Sequence, residues 1–177
     1  MKALVLDTET TGLISTHLLP LDKQSEVIEF YGALVDLADG TVLSDYGSMF
    51  KPSRSIPDEV VKITHITDDI VKDAPPFRAG APIIKELIET SPLVIAHNAS
   101  FDMEMIQFEY ERMKQTLRFP HAICTVEQTI HLKGYRLSLM NLHELLFDSK
   151  FPEAHRAKTD TAALIRCCVE LFKRGLI

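Results

Sequence analysis

An apolar run, Ala3-Leu-Val-Leu6, opens the chain and gives way at once to Asp7-Thr-Glu-Thr10, acids alternating with threonines. A run of that length reads as a buried strand over 2–9 whose far end turns polar. Residues 27–37 (VIEFYGALVDL) and 41–50 (TVLSDYGSMF) read as two more strands, joined by a hairpin turn at Asp39-Gly40. Pro52 and Pro57 mark 51–57 as loop, and a short helix at 58–63 and the polar segment Thr64-His-Ile-Thr-Asp68 follow. Apolar positions recur with helical spacing over 79–90, where Ser91-Pro92 stops them. Residues 93–96 read as a short buried strand. The segment 100–117 reads as a long amphipathic helix, with Met105, Ile106, Phe108 and Met113 among its apolar positions. A brief strand at 122–124 and helices at 125–132 and 138–147 come next. The last helix runs from about 157 to 174, with Lys173 and Arg174 in its final turn and Gly175 as its C-cap. Hairpin-linked strands first, then strands alternating with helices, predict a mixed sheet covered by helices, an α/β architecture. With no repeat, low-complexity tract or linker, residues 1–177 are expected to form one domain.

Composition narrows the function classes. The chain has 177 residues, 46% hydrophobic and 25% charged, enough for a full core and incompatible with global disorder. No apolar run approaches the ~20 residues that cross a bilayer, and Met1-Lys2 leads straight into the first strand without a signal-peptide pattern. A soluble, cytoplasmic protein with no membrane partner is the expectation. The net charge of −6 argues against a tight, non-specific nucleic-acid coat. It leaves room for an enzyme whose acids hold cations that in turn hold phosphates. Cys124, Cys167 and Cys168, an odd count with no CxxC spacing, point to reduced thiols rather than a disulfide framework or a zinc site.

Three polar clusters carry the candidate chemistry. In Asp7-Thr8-Glu9-Thr10-Thr11-Gly12, residues two apart on a strand share a face, so Asp7 and Glu9 project together and repel unless a cation lies between them. Their oxygens suit Mg²⁺ or Mn²⁺, while a solvated strand end is the plain alternative. Ala96-His97-Asn98-Ala99-Ser100-Phe101-Asp102 lies where a strand ends and a long helix begins, the edge where α/β sheets expose their sites. Ser100 or Asn98 can cap that helix and Asp102 falls in its first turn, which the helix dipole favours without any metal. His155-Arg156-Ala157-Lys158-Thr159-Asp160 opens the last helix, with Asp160 facing inward and His155 just before it. The remaining histidines, His17, His121, His131 and His143, read as surface or satisfied residues. Asp7, Glu9, Asp102 and Asp160 come from separate elements that one sheet can bring together, and two divalent ions would nearly neutralise them.

In combination the clusters resemble the DEDDh family of 3′–5′ exonucleases, the group that holds the proofreading epsilon subunit of bacterial DNA polymerase III, exonuclease X and ribonuclease T. The three motifs are Asp-x-Glu-Thr-Thr-Gly at Asp7 to Gly12, His-Asn-Ala-x-Phe-Asp at His97 to Asp102, and His-x-Ala-x-x-Asp at His155, Ala157 and Asp160. Softer similarities lie at Ile63-Thr-His-Ile-Thr-Asp68 and from Ile123 to Leu142. The resemblance implies a ribonuclease H-like fold, a mixed five-stranded sheet flanked by helices. It also implies that Asp7, Glu9, Asp102 and Asp160 bind two Mg²⁺ or Mn²⁺ ions and that His155 is the general base. Thr10, Thr11 and Gly12 would line the 3′-terminal nucleotide, with Leu13, His65, Asn98 and Phe101 as further substrate contacts.

By the same resemblance the partner is a nucleic acid 3′ end, DNA before RNA, because the sequences around His65 and from Cys124 to Asn141 lean to the epsilon and exonuclease X branch. Lys114, Arg118, Arg136, Arg156 and Lys158 are the candidates for phosphate contacts. An exoribonuclease that trims RNA, and a non-catalytic module that binds a strand end or a protein, stand as the alternatives. A polymerase or other protein partner is possible on this reading. Residues 14–26 are longer and more polar than the compact link many members carry, and read as a surface insertion ahead of a loop that shapes substrate access.

Overall fold

A computed structural model describes residues 1–14, 19–151 and 155–177. His17 and part of the 14–26 segment therefore lie outside the described residues. Five strands form one mixed sheet: β1 (Lys2–Thr10), β2 (Val27–Asp36), β3 (Thr41–Met49), β4 (Val94–Ala96) and β5 (Ala122–Cys124), in the order β3-β2-β1-β4-β5. β1, β2 and β3 pair antiparallel, and β1, β4 and β5 pair parallel. The helices are α1 (Asp58–Thr64), α2 (Asp68–Val71), α3 (Phe77–Thr90), α4 (Ala99–Arg112), α5 (Thr125–Lys133), α6 (Leu139–Phe147) and α7 (Ala157–Lys173). The chain thus has the mixed five-stranded sheet flanked by helices that was expected.

The period-two alternation of β1 decides what its polar end faces. Leu4 and Leu6 pack with Phe30, Met105, Ile106 and Tyr110 on the face covered by α3 and α4. Ala3 and Val5 pack with Ala33, Val35, Leu164 and Cys168 on the face covered by α7. Continuing the alternation, Thr8 looks toward α4, while Asp7 and Glu9 look toward α7. Register carries the same parity into β2, where Glu29 lies opposite Glu9 and Tyr31 opposite Asp7. No helix among the described residues is long and apolar enough to cross a membrane.

Several boundaries differ from the sequence expectation. The helix expected over 100–117 ends at Arg112. The Gln115 N–H donates to Tyr110 O and the Lys114 N–H to Glu111 O, both at 2.9 Å, with Lys114 at φ 55°. This is a Schellman stop built on lysine, without the glycine that announces one in a sequence. α7 ends by the same device with Gly175 at φ 68°, one position beyond the cap residue Arg174. α2 was not anticipated: Thr67, in the segment read as merely polar, caps it by accepting from the Ile70 N–H. His143 is fully buried; its Nδ1 donates to Ser149 O at 2.6 Å, but its Nε2 has no partner, so it is neither exposed nor fully satisfied.

Candidate active site

The carboxylates of Asp7, Glu9 and Asp160 converge at the polar end of β1, each offering an oxygen within 4.8 Å of the others. Two come from alternate positions of one strand and the third from the first turn of α7. Ala157, buried at the start of that helix, lets α7 lie close to the sheet. Burial and mutual repulsion both oppose ionisation here. Burial, then the charges of Asp102, Glu9, Asp160 and Glu29, hold the Asp7 carboxyl well above its ordinary 3.8. Burial, followed by Asp160, Glu29 and Asp102, pushes Glu9 from 4.5 up to about 8. Asp160 is also raised by burial, against the lowering effect of the His155 N–H. Three carboxylates this close, in a partly dry setting, are electrostatically unsatisfied without a cation.

Asp102 stands beside this trio rather than within it. Its Oδ1 accepts from the Thr8 N–H at 3.0 Å and the Thr8 hydroxyl at 2.8 Å, as the facing of Thr8 toward α4 requires. Burial nevertheless raises its carboxyl to about 7. The helix start is shaped by Asn98 at φ 74°, and neither Asn98 nor Ser100 caps α4 with its side chain. Asn98 Oδ1 instead accepts from Arg136 Nη2 at 2.8 Å. His97, next to it, is held on both sides: Nε2 donates to Leu137 O at 3.0 Å and Nδ1 lies 2.9 Å from the Thr125 hydroxyl. Burial holds its imidazole down to about 4, hence neutral near pH 7.

His155 is exposed and sits at φ 71° immediately before α7, its N–H donating to Asp160 Oδ2 at 2.9 Å. Asp160 belongs to the convergent cluster, and its Oδ1 is buried with no hydrogen-bond partner. An orphaned carboxylate oxygen among hard oxygen donors fits a divalent cation such as Mg²⁺ or Mn²⁺.

Beside the acids runs a groove of about 650 Å³, lined on one side by Thr8 to Ile14 and Phe101 and on the other by Glu59, Val60, Ile63 and Thr64 of α1. Thr10, Thr11, Gly12, Leu13 and Phe101 are thus brought to one wall. Gly12 has φ 153°, and its carbonyl accepts from the Thr10 hydroxyl at 2.7 Å, a turn that bends the strand end around the groove. Leu13 is 81% exposed at its rim. His65 ends α1 next to Thr64, exposed at φ 58° and outside the lining, as is Asn98. Sequence reasoning missed Glu59 and Ile63, which stand one helical turn apart on α1, and above all Glu29. The Glu29 carboxylate accepts from Arg156 Nε at 3.1 Å, Arg156 Nη2 at 3.0 Å and the Ala157 N–H at 3.0 Å. Arg156, anticipated as a phosphate contact, pairs with Glu29 while its side chain stays 41% exposed.

The sheet thus gathers acids from a strand end and two helix starts beside a groove. The chain belongs to the exonuclease family RNase_T, whose family model matches residues 4–168. It is similar to the PolC-type DNA polymerase III of Staphylococcus haemolyticus (strain JCSC1435), 31% identical over 172 residues, and to that of Staphylococcus aureus (strain bovine RF122 / ET3-1), 30% identical over 172 residues. These matches cover 96% of this chain but only 11% of either relative. Among solved structures, exonuclease X in complex with 5′ overhanging duplex DNA superposes with a TM-score of 0.72 at 23% identity, covering 98% of this chain and 93% of that one. The nuclease domain of 3′hExo, a DEDDh family member bound to rAMP, superposes with a TM-score of 0.78 at 14% identity, covering 98% and 92%.

Proposed function

We propose that residues 1–177 form a single exonuclease domain that hydrolyses DNA from the 3′ end, releasing nucleoside 5′-monophosphates with the help of two divalent ions. The observation that carries this reading is the convergence of Asp7, Glu9 and Asp160 within 4.8 Å, with one buried oxygen unpartnered, beside a groove that Glu9 helps to line. Asp7, Glu9 and Asp160 would hold Mg²⁺ or Mn²⁺, with Asp102, fixed by Thr8, completing the set. When bound, such ions neutralise the carboxylates and stabilise negative charge on the attacking and leaving oxygens.

The chain's own residues do the rest. His155, exposed beside the cluster and anchored through its N–H to Asp160, takes the proton from the attacking water. The water oxygen bonds to phosphorus, the bond from phosphorus to the 3′-oxygen breaks, and solvent protonates the departing 3′-oxyanion to a hydroxyl. Thr10, Thr11 and the Gly12 turn cradle the terminal nucleotide, and Leu13 and Phe101 supply apolar surface for its base. His65 and Asn98 act from the margins of the groove, Asn98 through its bond to Arg136.

DNA is favoured because the relatives at 30% and 31% identity are DNA polymerases and exonuclease X is in complex with DNA. The same relatives suggest a polymerase partner, a proofreading role and a cytoplasmic location. RNA remains the second reading, since a neighbour at TM-score 0.77 is a 3′-exonuclease that recognises the histone mRNA stem-loop. The test is degradation of 5′-labelled single-stranded DNA and matched RNA with Mg²⁺ or Mn²⁺, against a chelated control. A ladder shortening from the 3′ end, faster on DNA, is expected. Faster loss of RNA overturns the DNA assignment, and no metal-dependent cleavage of either returns the chain to a binding module.

A further inference from the structure

β2 contributes a fifth carboxylate that stands close to the catalytic cluster without joining it. Glu29 is the cross-strand neighbour of Glu9 and shares its face of the sheet. It is 7% exposed, and its charge is felt by Asp7, Glu9 and Asp160. Yet among the described residues only Asp7, Glu9 and Asp160 form a group with oxygens mutually within 4.8 Å. The Glu29 oxygens are engaged elsewhere: Oε2 accepts from Arg156 Nε and from the Ala157 N–H, and Oε1 from Arg156 Nη2. A carboxylate held by a guanidinium fork and a backbone N–H is stiffly oriented.

Those donors belong to the two residues that follow His155 and open α7. The same short stretch is closed from the other side, because the His155 N–H donates to Asp160 Oδ2 and the Asp160 N–H donates to Arg156 O at 2.9 Å. His155 holds a left-handed backbone at φ 71°, a conformation a non-glycine residue keeps only when its surroundings impose it. We infer that Glu29 is a positioning residue: its clamp on Arg156 and Ala157 fixes the start of α7 against β2 and so sets where His155 and Asp160 meet Asp7 and Glu9. This rests on the exonuclease reading for its consequence, though not for its geometry. Positioning matters because a displacement of about 1 Å at a reacting group costs on the order of a hundredfold in rate.

The experiment compares wild type with Glu29→Gln, Arg156→Lys and the double variant, each checked for folding by its thermal transition. Hydrogen exchange is read by mass spectrometry over 155–160 and over the remainder of α7, alongside kcat and KM on labelled single-stranded DNA with saturating Mn²⁺. Glu29→Gln keeps the shape but turns an amide toward three donors, and Arg156→Lys keeps the charge but loses the fork. Each single variant is expected to exchange faster at 155–160 while the rest of α7 stays protected. Each should lose about tenfold to a hundredfold in kcat with KM within roughly threefold. The double variant should be little worse than the poorer single one, since both break one clamp. Unchanged exchange at 155–160, exchange that rises equally along all of α7, or losses that multiply in the double variant would overturn the proposal. So would a rise in KM at constant kcat, which would make Arg156 a substrate contact. If wild type cleaves neither DNA nor RNA, the exonuclease reading fails, while the exchange comparison still decides whether Glu29 clamps the helix.

Discussion

Stripped of metal, the protein should lose stability as pH rises from about 6.5 to 8, the reverse of ordinary acid denaturation. Glu9 ionises at about 8 in the folded chain against an ordinary 4.5. Between those values the native state binds more protons than the unfolded one, so stability falls with rising pH. At about 1.36 kcal/mol per pH unit, the whole shift corresponds to roughly 5 kcal/mol. Repulsion between two charges 4.8 Å apart, the outer separation in the cluster, is of the same order, about 3.5 kcal/mol at an effective dielectric of about 20. Asp102, raised to about 7, adds in the same direction. His97 works oppositely: held neutral down to about 4, it costs stability as pH falls below its ordinary 6.5. The unobscured window is therefore about pH 6.5 to 8, where Glu9 alone accounts for roughly 2 kcal/mol, or about 4–8 °C in Tm for a chain of this size. Thermal unfolding in EDTA across that window reads it directly. Mg²⁺ at about a hundred times its Kd should restore about 2.7 kcal/mol, and Glu9→Gln should flatten the metal-free profile. A metal-free Tm that is level or rises with pH, or a profile indifferent to Glu9→Gln, would refute the reasoning.

Replacing His155 with alanine should lower kcat by about 10²- to 10⁴-fold while leaving the Mn²⁺-induced rise in Tm intact; loss of both together would make His155 a structural residue. Leu13→Ala removes a side chain that is 81% exposed, so stability should move by less than about 0.5 kcal/mol while KM for single-stranded DNA rises several-fold. An unchanged KM would remove Leu13 from the substrate wall. Tyr110→Phe deletes a buried hydrogen bond from the hydroxyl to Ala81 O at 2.5 Å and should cost about 1–2 kcal/mol in urea unfolding without altering kcat. A variant as stable as wild type would contradict that assignment.

The parity of β1 was readable directly from the chain, because Ala3, Leu4, Val5 and Leu6 fill both faces and the alternation continues into Asp7, Thr8 and Glu9. That parity also explains why Asp102 binds Thr8 while Asp160 meets Asp7 and Glu9, a division of the four acids that motif spacing does not contain. The early end of α4 was hidden because the left-handed position falls on Lys114, where no glycine marks it. Glu29 was invisible for a different reason: a lone acid in an apolar strand gains meaning only once register sets it opposite Glu9 and tertiary packing brings Arg156 to it. Likewise Glu59 and Ile63 look like an ordinary short helix until the fold places α1 across the groove from Gly12 and Leu13.

Anomalous scattering from crystals soaked in Mn²⁺ tests the central claim most directly, because it locates the ions rather than their effects. The account predicts Mn²⁺ within coordinating distance of Asp7, Glu9 and Asp160, with the orphaned Oδ1 of Asp160 among its ligands. Anomalous density only elsewhere on the protein, with these three carboxylates left protonated and paired to one another, would contradict it.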